Sequence, residues 1–327
     1  MKKYLAILLI GLLALTGCSS KPKEEETAPG KDYKIGTAVL TSEKLADAGE
    51  EAGKFEVNTY YATVVLDGDK IASVYIDAAQ NTIKVDDKDA LVGFEGKGTK
   101  KELGDDYNMK TYGNAVAEWY EQIESLETWM TGQTLDEVLT METYEKDESH
   151  PMVPAEEDLK SSVTIDVSAY LKVVEMAVAN AVDAKDVVSI GTQSITSASK
   201  EGIEINTTIA SVALNSKGEI AYAFIDAAQN KGASNAGVVT SENLLSSKKQ
   251  LGANYNMKEY GNAVAEWDEQ IASLEEYAVG LKLSDLLETP LKDGKADVED
   301  LKSSVTIGVE GYLQAFDKAA KAATKID

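Results

Sequence analysis

Residues 107–127 read YNMKTYGNAVAEWYEQIESLE and residues 255–275 read YNMKEYGNAVAEWDEQIASLE, identical at 18 of 21 positions. The exceptions are Thr111/Glu259, Tyr120/Asp268 and Glu124/Ala272. Upstream, Ile76-Asp-Ala-Ala-Gln-Asn81 recurs as Ile225-Asp-Ala-Ala-Gln-Asn230, and downstream residues 157–165, EDLKSSVTI, recur unchanged as 299–307. A period of about 145 residues is the size of a domain, not of a solenoid repeat. The chain therefore carries two copies of one unit, expected at 33–183 and 187–327, with the boundary near 183–186.

Within each copy the hydrophobic pattern predicts the elements. Residues 55–66 are rich in Thr, Tyr and Val and alternate as a strand does, Asp67-Gly68 is a hairpin signal, and 71–76 is a second strand. Their counterparts are 205–214 and 220–225, with a turn at 215–218. The spacing of Val116, Trp119, Ile123, Leu126 and Met130 predicts a helix over about 112–130. A second helix is expected over 168–181, with Tyr170, Leu171, Val174 and Val178 inward. Two strands followed by two helices per copy predict an α+β fold, each copy a small antiparallel sheet packed by helices.

The first residues read as a targeting segment. Lys2 and Lys3 precede an apolar run from Leu5 to Leu15, too short to span a bilayer as a mature helix. Leu15-Thr16-Gly17-Cys18 then resembles a lipobox, which implies a signal peptide over 1–17, cleavage after Gly17 and a lipid on the Cys18 sulfur. Cys18 is the sole cysteine, so no intramolecular disulfide can form. Residues 18–32 carry no apolar periodicity and read as the lipid anchor and a flexible tether.

Charge narrows the partners. All 32 basic residues are lysines, against 56 acidic ones, for a net charge of −24. That argues against a nucleic-acid footprint and against a phosphate site built on bidentate arginine. His150 is the sole histidine and has no partner in the second copy, which argues against histidine metal sites and a Ser-His-Asp triad. Asp86-Asp87-Lys88-Asp89 lacks the spacing of a calcium loop, and the glycine-rich run from Gly93 to Gly98 reads as a turn.

Glu118 with Glu121, and Glu266 with Glu269, form a duplicated carboxylate pair on one helix side. General acid–base chemistry is open to such a pair, but a solvated or backbone-bonded face is the commoner role. Trp119 and Trp267 fall at core spacing, while Tyr107 and Met109, with Tyr255 and Met257, suit either packing on a planar ligand or a local hydrophobic staple.

The most informative block is Asp158-Leu-Lys160-Ser161-Ser162-Val163-Thr164 and its twin Asp300-Leu-Lys302-Ser303-Ser304-Val305-Thr306. Both precede an amphipathic helix. Small hydroxyl residues there serve either as caps or as an anion seat on the helix N-terminus, assisted by Lys160 and Lys302.

Asp-x-x-Ser-x-x-Thr before a helix resembles the flavinylation motif of FMN-binding domains. Those domains carry FMN joined through its phosphate to the threonine by a separate FAD-dependent FMN transferase. The resemblance implies two covalent FMN groups, on Thr164 and Thr306. The commonest form has Gly-Ala between serine and threonine; here Ser162-Val163 and Ser304-Val305 stand there. With the lipobox and the paired motifs, the whole chain is similar to the two-domain flavinylated lipoproteins of Gram-positive extracellular electron transfer. Membership would make it an electron carrier and not an enzyme. It would take electrons from a quinol-linked membrane reductase and pass them to extracellular acceptors. In that family a signal-peptide fragment can act as a pheromone; the corresponding piece is 8–17. A cofactor-free ligand-binding or adhesive surface lipoprotein, and a hydrolase using the duplicated glutamates, are the alternatives.

Overall fold

The computed structural model describes residues 29–326 apart from 97, 114, 200, 243 and 244. The signal segment, Cys18 and most of the tether lie outside the described residues. The first repeat opens with β1 (Lys31–Ala46), β2 (Gly53–Asp67), β3 (Lys70–Val85) and β4 (Leu91–Glu95), followed by α1 (Trp119–Met130) and α2 (Ser168–Ala179). The second repeats the order with β5 (Val182–Ala198), β6 (Glu204–Asn215), β7 (Ile220–Asn235), β8 (Val238–Ser241), α3 (Trp267–Ala278) and α4 (Glu310–Lys321), and closes with β9 (Thr324–Lys325).

The α+β class holds, and the two hairpins fall where the alternation places them. Gly68 takes a φ of +67° in the two-residue turn between β2 and β3, a conformation that favours glycine. Three local readings differ. The first long helix begins at Trp119, not 112; residues 109–113 form a separate short helix and Val116 is exposed. Gly93, Phe94 and Glu95 are strand β4 and not a turn. Lys31 and Asp32, at the end of the expected tether, already belong to β1.

The larger difference is that the two sheets are one. These nine strands join in one sheet of order β8-β7-β6-β5-β1-β2-β3-β4, with β9 also on β5, while two short hairpins, 143–144 with 153–154 and 291–292 with 295–296, stand apart. The seam lies where β1 pairs β5, Lys31 opposite Val187 and Ile35 opposite Val182. The expected boundary at 183–186 is therefore inside a strand. The first residues of β5 close the first repeat against β1, and its remainder opens the second. β9 closes the second repeat in the same way, Thr324 opposite Ile190.

Strand alternation sorts the side chains into layers. On β2, Ala62, Val64 and Leu66 face α1 and α2 in one core, while on β6, Ala210 and Val212 face α3 and α4 in its twin. The opposite faces meet each other. Tyr33, Ile35 and Val65 pack on Ala213, Tyr222 and Phe224; Phe55 and Val57 pack on Ile203 and Ile205. The molecule is thus two face-to-face sheet halves with helices on both outer sides.

Helices approach the sheet through paired glycines. A Cβ on Gly36 would lie 2.0 Å from the Ala177 carbonyl oxygen of α2, and one on Gly191 would lie 2.0 Å from that of Ala319 in α4.

Candidate functional site

Each motif threonine sits in an outer layer against the helix of its own repeat. The Thr164 amide donates to Gln122 Oε1 at 2.8 Å, and its hydroxyl lies 3.4 Å from the same oxygen. Thr306 repeats this on Gln270 at 2.8 and 3.3 Å, and the Ile307 amide adds a third bond at 3.2 Å. Both glutamines are fully buried, whereas both threonines are half-buried. Val163 and Val305, one residue earlier, are core residues that fix the backbone on either side.

The glutamine amide groups face the other way. Gln122 Nε2 donates to the Ala117 carbonyl at 2.9 Å and meets Met109 Sδ at 3.5 Å. Gln270 does the same with Ala265 and Met257, at the same distances. One buried side chain therefore ties the threonine segment to both ends of the 109–117 loop, or of 257–265.

The duplicated glutamates are structural. Glu118 accepts the amides of Met109 at 2.7 Å and Lys110 at 3.1 Å, while its own amide donates to Glu121 at 2.8 Å. Glu266 and Glu269 copy this arrangement. These are capping boxes whose carboxylates are engaged by backbone donors, which leaves the acid–base reading without support.

Tyr107 and Tyr255 turn out to be anchors. Their hydroxyls donate to Gln80 and Gln229 at 3.1 and 2.8 Å, the glutamines of the repeated Asp-Ala-Ala-Gln block. The aspartates of that block, Asp77 and Asp226, are buried and accept the amides of Lys101 and Lys249, each at 3.1 Å, pinning the short helix before the tyrosine. Burial raises both carboxyls above the usual range, partly countered by these donors. Beside them, the Lys101–Glu127 and Lys249–Glu275 ion pairs are shielded from solvent.

The remaining motif residues are more peripheral. Asp158, Ser161, Asp300 and Ser303 are exposed. Ser162 and Ser304 donate to the carbonyls of Leu159 and Leu301, closing local turns. Asp158 and Ser162 border an open cleft of about 890 Å³ with Glu121, Ser125 and Trp129. Lys160 and Lys302 pair on the surface with Glu157 and Asp297. The α2 N-terminus, expected to favour an anion, already holds one of the chain's own: Asp166 accepts the Ser168 amide at 3.1 Å and the Met152 amide at 2.7 Å. Gly308 replaces it in the second repeat.

Sequence reading overlooked Gln122 and Gln270, which look like polar-face residues of an amphipathic helix. The signal available was their identity in both copies beside positions that differ, Tyr120/Asp268 and Glu124/Ala272. Compared with protein-family models, with curated proteins and with solved structures, the chain matches none.

Proposed function

We propose that the chain is an electron carrier anchored by lipid on Cys18 at the outer face of the cell membrane, with FMN joined to Thr164 and Thr306. A separate FAD-dependent transferase would form each phosphoester from the threonine Oγ1, with AMP leaving FAD and the hydroxyl proton passing to solvent. The observation that carries this reading is that both repeats hold the half-buried motif threonine by its backbone amide to a buried glutamine. A covalently held group needs a hydroxyl nucleophile on a fixed segment and little more. The missing arginine is no obstacle, because the ester holds the phosphate.

Bound FMN supplies the redox chemistry, and the protein supplies attachment, orientation and surroundings. Outside a cell a dissociable cofactor would be diluted away; a covalent one keeps a fixed local concentration. Electrons would come from a quinol-linked membrane reductase and go to extracellular acceptors, with the tether keeping the carrier near its donor.

Intact mass of the native, membrane-derived protein tests the reading. Two FMN masses are expected. Thr164→Ala and Thr306→Ala should each remove one, and the double variant should be colourless yet folded. Serine at these positions retains the hydroxyl and should keep some flavin; valine should keep none. A wild-type chain without FMN, taken from cells with active transferase, would overturn the proposal in favour of a cofactor-free binding lipoprotein.

A further inference from the structure

The loop between the short helix and the long one is fastened tightly at its base and bare at its tip. In the second repeat, Met257 and Lys258 give their amides to buried Glu266 at 2.8 and 3.3 Å, and Ala265 gives its carbonyl to Gln270. Asn256 and Asn262 turn the chain with φ of +57° and +50°. Between these fixed points Tyr260 is 81% exposed and Val264 is 58% exposed. The first repeat matches, with Tyr112 at 87% and Val116 at 57%. None of the four serves the core. All are kept in both copies, although the exposed neighbour differs as Thr111 and Glu259. An aromatic and a branched apolar side chain held in water on a rigid base suit contact with an apolar planar surface.

Gln122 and Gln270 put this loop beside the acceptor. Their carbonyl oxygens hold the threonine segment and their amide nitrogens hold the base of the loop, so one side-chain amide separates the segment from the loop's base. We propose that Tyr112 with Val116, and Tyr260 with Val264, form the apolar platforms on which the isoalloxazine rings attached to Thr164 and Thr306 pack. This rests on the flavin reading and adds the ring contact to it. Each tyrosine offers an offset-stacking face, and the valine beside it covers the apolar benzenoid edge.

The test uses membrane-derived protein carrying Thr306→Ala, so that one flavin remains. Tyr112→Ala and Val116→Ser are then added singly and together; both side chains are exposed, so folding is expected to persist. Intact mass should show the flavin still attached. Flavin emission should rise several-fold as tyrosine quenching is lost, and the induced visible circular dichroism of the ring should fall. Unchanged emission and dichroism with flavin attached would overturn the platform and leave the flavin reading intact. A folded variant lacking the flavin would also overturn it, assigning the loop to recognition by the transferase. A parent chain without FMN would overturn both.

Discussion

Thr63 and Ser211 hold equivalent positions in the two repeats and hydrogen-bond to each other, their hydroxyl oxygens 2.9 Å apart where the sheet halves meet. Thr37 and Thr192, also equivalent, complete a buried quartet: Thr37 bonds Thr63 at 2.9 Å and Ser211 at 3.1 Å, and Thr192 bonds the same two at 2.7 and 2.9 Å. The four hydroxyls mark the local two-fold relation between the copies. They bring hydrogen-bonding specificity into an otherwise apolar layer.

Thr63→Val should remove one member and leave its neighbours short of partners in a dry interior. An unpaired buried polar group costs about 1–3 kcal/mol, and urea unfolding should show a loss of that size. Replacing the whole quartet by apolar residues of similar volume, together with Tyr222→Phe because the Tyr222 hydroxyl donates to Thr37 at 3.1 Å, should cost less than the sum of the single changes, because no orphaned hydroxyl remains. Additive losses would argue against a coupled network.

The halves should not behave as independent monomers. Residues 29–187 alone would expose Tyr33, Ile35, Phe55, Val57 and Tyr61, all buried in the intact chain. Light scattering after size exclusion should find this fragment dimeric, with a second copy standing in for the missing repeat, or aggregated. A soluble monomer with native-like circular dichroism would show that the shared face is dispensable.

Gly36→Ala and Gly191→Ala should both be severely destabilising. The added methyl meets backbone atoms that cannot rotate away, the Ala181 amide nitrogen at 2.8 Å and the Ala323 amide nitrogen at 2.7 Å as well as the helix carbonyls. Overpacking of this kind costs typically about 1–3 kcal/mol and more where backbone must shift. Thermal unfolding should rank both well below Gly49→Ala, where the added methyl meets nothing within 4 Å.

Between pH 5 and 9, stability should pass through a minimum near neutral pH. Burial pushes Glu127 up to about 7, against an opposing pull from Lys101, and burial pulls Lys100 down to about 8. The Glu127 contribution is fully present below its ordinary value of 4.5 and is lost as pH rises through 7. The Lys100 contribution is present above 10.5 and is lost as pH falls through 8. Glu275 and Lys248 move in the same directions in the second repeat. The urea midpoint should therefore fall between pH 5 and 7.5 and recover above 9, a swing on the order of a few kcal/mol. Glu127→Gln should flatten the acid limb; a midpoint that climbs from pH 5 to 7.5 would contradict this assignment.

Much of this architecture was legible. Alternation marked the hairpins around Gly68 and Gly218, and helical spacing marked the faces that bury Trp119, Ile123 and Leu126. The fusion of the sheets was not. On β1, Ile35 and Val39 face the other repeat while Ala38 and Leu40 face the helices. A strand buried on both sides gives no sign of which neighbour covers which face. β5 was hidden for a related reason: Asp183, Lys185 and Asp186 resemble a linker, although Asp183 and Ala184 pair with Lys34 and Tyr33. At the candidate site the threonines were found by motif, but the glutamine that holds each one lies 42 or 36 residues away, and only the folded chain brings them together.

Ile326 and Lys31 take successive places along one edge of β5: the Ile326 amide donates to the Val188 carbonyl, and Lys31 stands opposite Val187. The backbone thus traces a closed circuit of two units with a single opening, where the described residues begin. In the lipid-anchored carrier proposed above, tension from the membrane would act on the end of β1 as shear along its pairing with β5, the geometry in which a strand resists extraction best. A circular permutant that sealed this gap and was cut at the Gly218 hairpin would keep every strand pairing while moving the anchorage to the far end of the sheet.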